Sequence, residues 1–279
     1  MIWLMGTTAV LAQGSQARWK RSSAGSTSDL QLFHSTQVAN LYTAETLQQS
    51  DILFEISHRF FPPVSDGGDA LFGLDGPVNM RLGLGYALSN RILVTLARAN
   101  VNDNVDLWVK YKALQIRSSF LPMIIALQAG GAWNTQKYFG RDRGDSRNFQ
   151  YYGQVIANTL IAKKLGIGIT PTYLQNTQIF STDTENSFTL GAYAQYYISF
   201  GYAVFVEWNP TISGPRYQYN SFTAGFELET GGHFFKFILT NNPYINPSQF
   251  QAGADVPFDS DNWRLGFNIT RLLKLKTGQ

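Results

Sequence analysis

The stretch that decides the fold runs Val78-Asn79-Met80-Arg81-Leu82-Gly83-Leu84-Gly85-Tyr86-Ala87-Leu88. Val78, Met80, Leu82, Leu84, Tyr86 and Leu88 are all apolar, while the residues between them are polar or small. Successive side chains of a β-strand point to opposite faces, so this period of two describes a strand with one apolar and one polar or small-residue face. The pattern returns in residues 165–174, where Leu165, Ile167, Ile169 and Tyr173 oppose Gly166, Gly168, Thr170 and Thr172. It returns again in residues 262–270, where Trp263, Leu265, Phe267 and Ile269 oppose Asn262, Arg264, Gly266, Asn268 and Thr270. Less regular versions occupy 52–60, 91–99, 105–115, 123–133, 149–162, 188–197, 202–208, 221–230 and 233–240. That makes about twelve strands, most near the roughly ten residues of a tilted membrane strand.

The links sharpen this reading. Long connections at 61–77, 134–148, 175–187, 209–220 and 241–261 alternate with short ones at 89–90, 163–164, 198–201 and 231–232. An up-and-down antiparallel barrel in an outer membrane has this rhythm, with short turns on the periplasmic side and long loops outside. The same order puts both termini in the periplasm. Side chains just fill the interior of a barrel of about eight strands, so twelve strands should turn their apolar face to lipid and line the lumen with the other. Phe60, Phe61, Tyr86, Trp133, Tyr151, Tyr152, Tyr173, Tyr202, Trp208, Tyr217, Tyr219, Phe222 and Phe234 lie near strand ends, where aromatic girdles belong. The fold class is therefore all-β, a transmembrane up-and-down antiparallel β-barrel of about twelve strands.

Composition agrees. The chain has 279 residues, 15% charged and 14% aromatic, 25 Gly, no Cys and a net charge of +3. Soluble domains carry roughly a quarter charged residues. Disorder needs few aromatics and a high net charge, which excludes it here. The absence of Cys excludes disulfides and thiol-based metal sites. So weak a positive balance, without a Lys/Arg run, gives no argument for nucleic acid as a partner. Residues 1–12 are apolar and end in small side chains, like the core of a signal peptide whose charged start is missing. Residues 13–50, with a Ser/Gly-rich stretch through Ser28, read as a periplasmic N-terminal segment, and residues 51–279 as the barrel.

Carrying the alternation through the charged positions assigns Glu55, Arg59, Arg81, Asp106, Lys110, Lys112, Glu207, Glu227, Glu229, Lys236 and Arg264 to the lumen. Their signs nearly balance. Such charges can pair across a narrow bore and restrict it, or line a path for a small solute. The assignment is least regular in residues 149–162, where Gln154, Ile156 and Asn158 share one face. Asp66, Asp69 and Asp75 lie among glycines in the first long link, but their spacing fits no full Ca²⁺ loop, and turn chemistry explains them. Residues 141–147 form a mixed-charge run that reads as a solvated loop. Ser57 and His58 are strand neighbours pointing to opposite faces, so they make no nucleophile–base pair, and the sequence gives no other reason to expect an enzyme. No cofactor or metal is implied.

Five short blocks carry a resemblance. They are Ile56-Ser57-His58-Arg59-Phe60; Leu71-Phe72-Gly73-Leu74-Asp75; Val109-Lys110-Tyr111-Lys112 with Gln115; Gly231-Gly232-His233-Phe234-Phe235 with Leu239-Thr240-Asn241-Asn242; and residues 264–271. In that order, and over residues 41–273, the chain resembles a β-barrel family of Bacteroidota designated only as a domain of unknown function, family 5777. The resemblance implies an outer-membrane barrel of unassigned activity and carries over no catalytic residues. The functional expectation is porin-like, passive or partner-assisted passage of a small solute. The alternative is a non-conducting barrel that anchors or displays the loops 61–77, 134–148 and 241–261 to a periplasmic or surface protein. The partners expected are outer-membrane lipid, a small solute and such a protein. An open bore would favour passage, and a bore closed by ion pairs would favour the anchor.

Overall fold

A computed structural model describes residues 29–138 and 140–274. The expected signal peptide, residues 1–12, lies outside the described residues. Twelve strands follow one another around a closed ring: β1 (Ile52–Phe60), β2 (Val78–Ser89), β3 (Ile92–Ala99), β4 (Asn104–Ile116), β5 (Met123–Asn134), β6 (Phe149–Ile161), β7 (Leu165–Gln175), β8 (Asn186–Ser199), β9 (Tyr202–Asn209), β11 (Ser221–Thr230), β12 (His233–Thr240) and β13 (Arg264–Leu273), with a three-residue strand, β10 (Thr211–Ser213), between β9 and β11. Each strand pairs antiparallel with the next, and β1 closes the ring on β13 in a register running from Ile52 opposite Leu273 to Arg59 opposite Gly266. After Pro210, β10 continues the line of β9 against the start of β8. Closure leaves no strand edge for a hydrocarbon layer to strand without partners.

The alternation sorts as the sequence predicts. Along β2, Met80, Leu82, Leu84, Tyr86 and Leu88 are exposed on the outer surface, while Asn79, Arg81 and Ala87 are buried inside. The girdle expectation holds for Tyr86, Trp133, Tyr151, Tyr173, Tyr202 and Trp208, all exposed. It fails for Tyr152 and Phe234, whose places in the alternation turn them inward, where they are buried. Five short links, 90–91, 117–122, 162–164, 200–201 and 231–232, lie at the same end of the barrel as the start of β1 and the finish of β13, here called the turn end. The other links, long except for the four-residue 100–103, lie at the opposite, loop end.

The N-terminal segment departs from expectation. Residues 32–47, read from sequence as part of a periplasmic segment, are buried inside the barrel. They form a hairpin: Val38 N–H donates to Leu41 O at 2.9 Å, Thr43 N–H donates to Thr36 O at 3.0 Å, and Gln37 bridges Tyr42. Leu30 N–H bonds Gln115 at the turn end of β4, and Thr46 bonds Asn90 O in a short turn, so both arms pass through the turn end and the 38–41 bend points towards the loop end.

The hairpin supplies an apolar core that the lumen alternation leaves incomplete. Phe33, Leu41 and Tyr42 are buried with Leu93, Trp108, Ile124 and Ile156 from the inner wall. Tyr42 lies on Trp108 with ring centroids 4.7 Å apart, and Phe33 meets Tyr193 edge-on at 5.6 Å. Each such side chain contributes roughly 1.5–3 kcal/mol when fully buried. Space for them comes from lumen glycines: a Cβ on Gly166 would stand 2.7 Å from the Phe33 ring, and one on Gly191 would stand 3.1 Å from Leu41.

Candidate functional site: the occupied lumen

Nine of the eleven charged residues singled out by alternation, Glu55, Arg59, Arg81, Asp106, Lys110, Lys112, Glu207, Glu227 and Lys236, are buried inside the barrel. Arg264 is half-buried at the loop-end rim, donating to Phe61 O and Asn241 O, both at 2.8 Å. Glu229, the eleventh lumen charge, lies 3.3 Å from Nδ1 of His34. Some of the charges pair within the wall. Arg81 on β2 reaches Glu55 on the adjacent β1 at 3.1 Å and, over β3, Asp106 on β4 at 2.8 Å. The wall pair Lys236 and Glu227 stands at 3.2 Å.

The other contacts grip the hairpin. The Glu207 carboxylate accepts the N–H groups of Ala39 at 2.7 Å, Asn40 at 3.0 Å and Leu41 at 2.9 Å, so it sits at the exposed donors of the bend. The ammonium of Lys110 uses its three protons on Thr36 O (3.0 Å), Thr43 O (2.7 Å) and Glu45 O (3.0 Å), clasping both arms. Lys236 adds Ser35 Oγ at 2.8 Å and Gln37 O, Lys112 reaches Glu45 at 3.4 Å, and Arg59 donates to Asn40 Oδ1 at 2.9 Å. Hydrogen bonds to charged groups are worth about 1.5–3 kcal/mol each, and a buried charge deprived of its partner costs about 3–5 kcal/mol. The grip therefore outweighs any single apolar contact. It is made by wall side chains on main-chain atoms and side chains of the hairpin, and no residue of the hairpin enters the barrel's strand ladder.

The loop end is closed by a different device. Residues 241–254 fold inward as a cap that includes a single helical turn, Pro247–Phe250, all buried. Asn242 Nδ2 fastens it to the wall at Ser221 Oγ, 2.7 Å, and ties it to itself at Phe250 O, 3.1 Å, and Gly253 O, 2.9 Å. Gln251 reaches Gln154 at 3.0 Å, and Asn246 bonds Asn104. Neither the hairpin nor the cap is named as lumen content by the sequence reading. The signal for the first was the apolar Ile156 between Gln154 and Asn158 on a face otherwise polar; all three are buried inside.

The outer loops and surface offer less. Asp145 caps a short turn and pairs with Arg147 at 2.6 Å, and Arg141 donates to Ile179 O at 2.6 Å, so the mixed-charge run is tied into its own loops. The Arg147 hydrogen bonds hold the Asp145 carboxyl below the usual range. Ser57 Oγ donates inward to Glu55 at 2.7 Å, while His58 stacks outside on Phe267 at 4.5 Å. Among the described residues no three His, Cys, Asp or Glu side chains converge as metal ligands.

A closed twelve-stranded barrel with an apolar outer wall and a folded segment of its own chain in the bore defines the class of plugged transmembrane β-barrels. The chain belongs to the family of membrane-bound β-barrel domains known as DUF5777, which matches residues 33–273 and so takes in the hairpin as well as the barrel. No curated protein matches the sequence. Among solved structures, the NanC porin is 11% identical and aligns over 80% of this chain and 100% of its own, with a TM-score of 0.47. The KdgM porin is 11% identical over 79% of this chain and 98% of its own, with a TM-score of 0.45. An outer membrane channel from Pseudomonas putida F1 is 12% identical over 82% and 98%, with a TM-score of 0.46.

Proposed function

We propose that the protein sits in an outer membrane, with its turn end in the periplasm, and gives porin-like passage to a small solute when the hairpin leaves the bore and the loop-end cap swings aside. The observation that carries this reading is the independence of wall and hairpin. The ring closes through β1 and β13 alone, so withdrawal of residues 30–47 breaks side-chain hydrogen bonds and apolar contacts but no strand pairing. Withdrawal would also leave Glu207 and Lys110 facing the bore without their present partners, so the groups that hold the plug become the charges of the opened lumen. A periplasmic partner drawing on the segment ahead of residue 30 would supply the work.

Deleting residues 30–47 and replacing the cap, residues 242–254, by a short Gly/Ser link tests this. The deleted protein should give steady conductance in planar bilayers where the intact protein is closed. A folded deletion variant that stays silent would overturn passage. It would leave the second reading, a non-conducting barrel that displays its loops, which the doubly closed bore favours.

A further inference from the structure

We infer that the turn end carries a binding site for an anionic glycerophospholipid, seated in the cleft between the 162–164 and 200–201 turns with its headgroup on Lys163 and Lys164, and that the bound lipid braces the hairpin. The site rests on the outer-membrane placement proposed above, since the leaflet that meets a periplasm is built of glycerophospholipids. Its chemistry rests on the cleft itself.

The cleft has a volume of about 470 Å³ and is lined by residues 162–164, by residues 197–200 and by His34 of the hairpin. Tyr197 N–H donates to Lys164 O at 2.8 Å, which fixes the β6–β7 turn beside the end of β8. A bulge between Tyr197 and Ser199 leaves Ile198 with no residue opposite, the device by which a strand end re-aims a side chain. Ile198 and Phe200 are more than half exposed next to the two exposed lysines. Apolar side chains beside a pair of ammonium groups match an amphiphile, with its phosphate on the cations and the first carbons of its acyl chains on the apolar wall.

The backbone of the β6–β7 turn points the same way. Ala162 and Lys163 both have left-handed backbone, with φ of 48° and 56°. A side chain with a Cβ is poorly accommodated there, and two-residue hairpin turns of this form favour Asn and Gly. The β11–β12 turn, at the same end of the barrel, meets the same demand with Gly231 and Gly232, at φ 57° and 96°. Lys163 thus keeps its place against local backbone preference, as residues of binding sites do.

Charge and depth select a lipid. Among the described residues, the exposed charges of the turn end are all cationic: Arg91, Arg117, Lys163, Lys164, Arg271 and Lys274. The loop end differs, since its first link, 61–77, holds Asp66, Asp69 and Asp75 and no cation. Tyr196 and Tyr202, both exposed, flank residues 197–200 and mark the level where a hydrocarbon layer gives way to headgroups. A cationic, partly apolar cleft at that level faces phospholipid before any soluble anion.

One side of the cleft belongs to the plug. The His34 ring lies on Tyr197 with centroids 4.3 Å apart and stands 6.5 Å from Phe200, and His34 N–H donates to the Tyr197 hydroxyl at 3.2 Å. A lipid that packs on this surface binds the plugged barrel better than the emptied one, so by reciprocity it favours the plug.

The test is native mass spectrometry of the full chain in uncharged detergent micelles, titrated with dioleoylphosphatidylglycerol, dioleoylphosphatidylcholine or glycerophosphate, and so independent of conductance. Phosphatidylglycerol should bind about tenfold more tightly than phosphatidylcholine, and glycerophosphate should not displace it. Lys164→Gln should weaken phosphatidylglycerol about fivefold. Lys163→Gly should weaken it as much while holding or raising the barrel's thermal midpoint, because glycine relieves the left-handed turn, and misfolding would lower that midpoint. Arg91→Gln, in the β2–β3 turn outside the cleft, should leave binding unchanged. Deleting residues 30–47, and His34 with them, should weaken binding about threefold. Equal binding of the two lipids, displacement by glycerophosphate, or a loss in Arg91→Gln equal to that in Lys164→Gln would overturn the site. Undiminished binding by the deletion variant would overturn the brace. A protein that binds phosphatidylglycerol as expected but conducts in no variant would keep the site and lose passage.

Discussion

At the scale of single residues, two side chains decide whether the bore is filled. Glu207 meets the bend of the hairpin with one carboxylate and three main-chain N–H donors, and Lys110 spans its two arms with one ammonium. Glu207→Gln keeps the shape but removes the charge and one acceptor, and Lys110→Met leaves three buried carbonyls without a donor. Each should loosen the hairpin by about 2–4 kcal/mol. In single-channel recordings of the protein whose cap is replaced by a short link, this appears as a larger open fraction, with the barrel's circular dichroism unchanged. An open fraction equal to that of the parent protein would show that apolar packing alone holds the plug. Alternation placed both residues inside the barrel from the sequence alone, since each sits on the polar phase of its strand. Their partners were not legible: a carboxylate that binds peptide N–H groups leaves no sequence pattern, because the donors belong to every residue type.

At the scale of elements, the strands were legible and the lumen contents were not, for one physical reason. A lipid-facing row must be apolar at every second position, so Met80, Leu82 and Leu84 announce their strand. A hairpin packed inside a mixed polar and apolar bore answers to no fixed period. Phe33, Leu41 and Tyr42 are spaced to meet Gly166, Gly191 and Trp108, which come from three different strands. The cap is held in a third way, by amides. Burial and the negative field of Asp255 push the Tyr244 phenol up from 10.0 to about 12. An acid whose folded pKa is raised adds stability that is complete below the unfolded value and lost as pH rises through the folded one. The cap's attachment should therefore hold to about pH 10 and weaken between pH 10 and 12, followed by the ultraviolet absorbance of phenolate. Phenolate appearing with an ordinary midpoint near 10 would mean that Tyr244 is solvated and the cap open.

At the scale of the molecule, two levels of cooperativity coexist. The barrel's hydrogen bonds run through an unbroken ring, and opening one strand pair exposes main-chain groups to a medium that cannot solvate them. The hairpin opens at the cost of side-chain contacts only. In hydrogen exchange, the amides of Ala39, Asn40 and Leu41 should therefore exchange well before those in the middle of β4 or β5, and deletion of the hairpin should leave the strand amides protected. Simultaneous exchange of both sets would mean that wall and plug unfold as one unit. The count of strands and their closure into a ring could be read from the sequence because membrane geometry imposes length, alternation and link rhythm together. The state of the bore could not, because it depends on which chain segment competes best for the inner wall.

Both arms of the hairpin pass through the same end of the barrel, and its second arm runs within a few residues into β1. It is therefore not threaded, and it remains a ligand on a leash. Once drawn out, it stays at an effective concentration in roughly the millimolar range, set by its tether and independent of how much protein the membrane holds. Re-closure then follows first-order kinetics, and any solute admitted to the bore competes with a rival that never diffuses away.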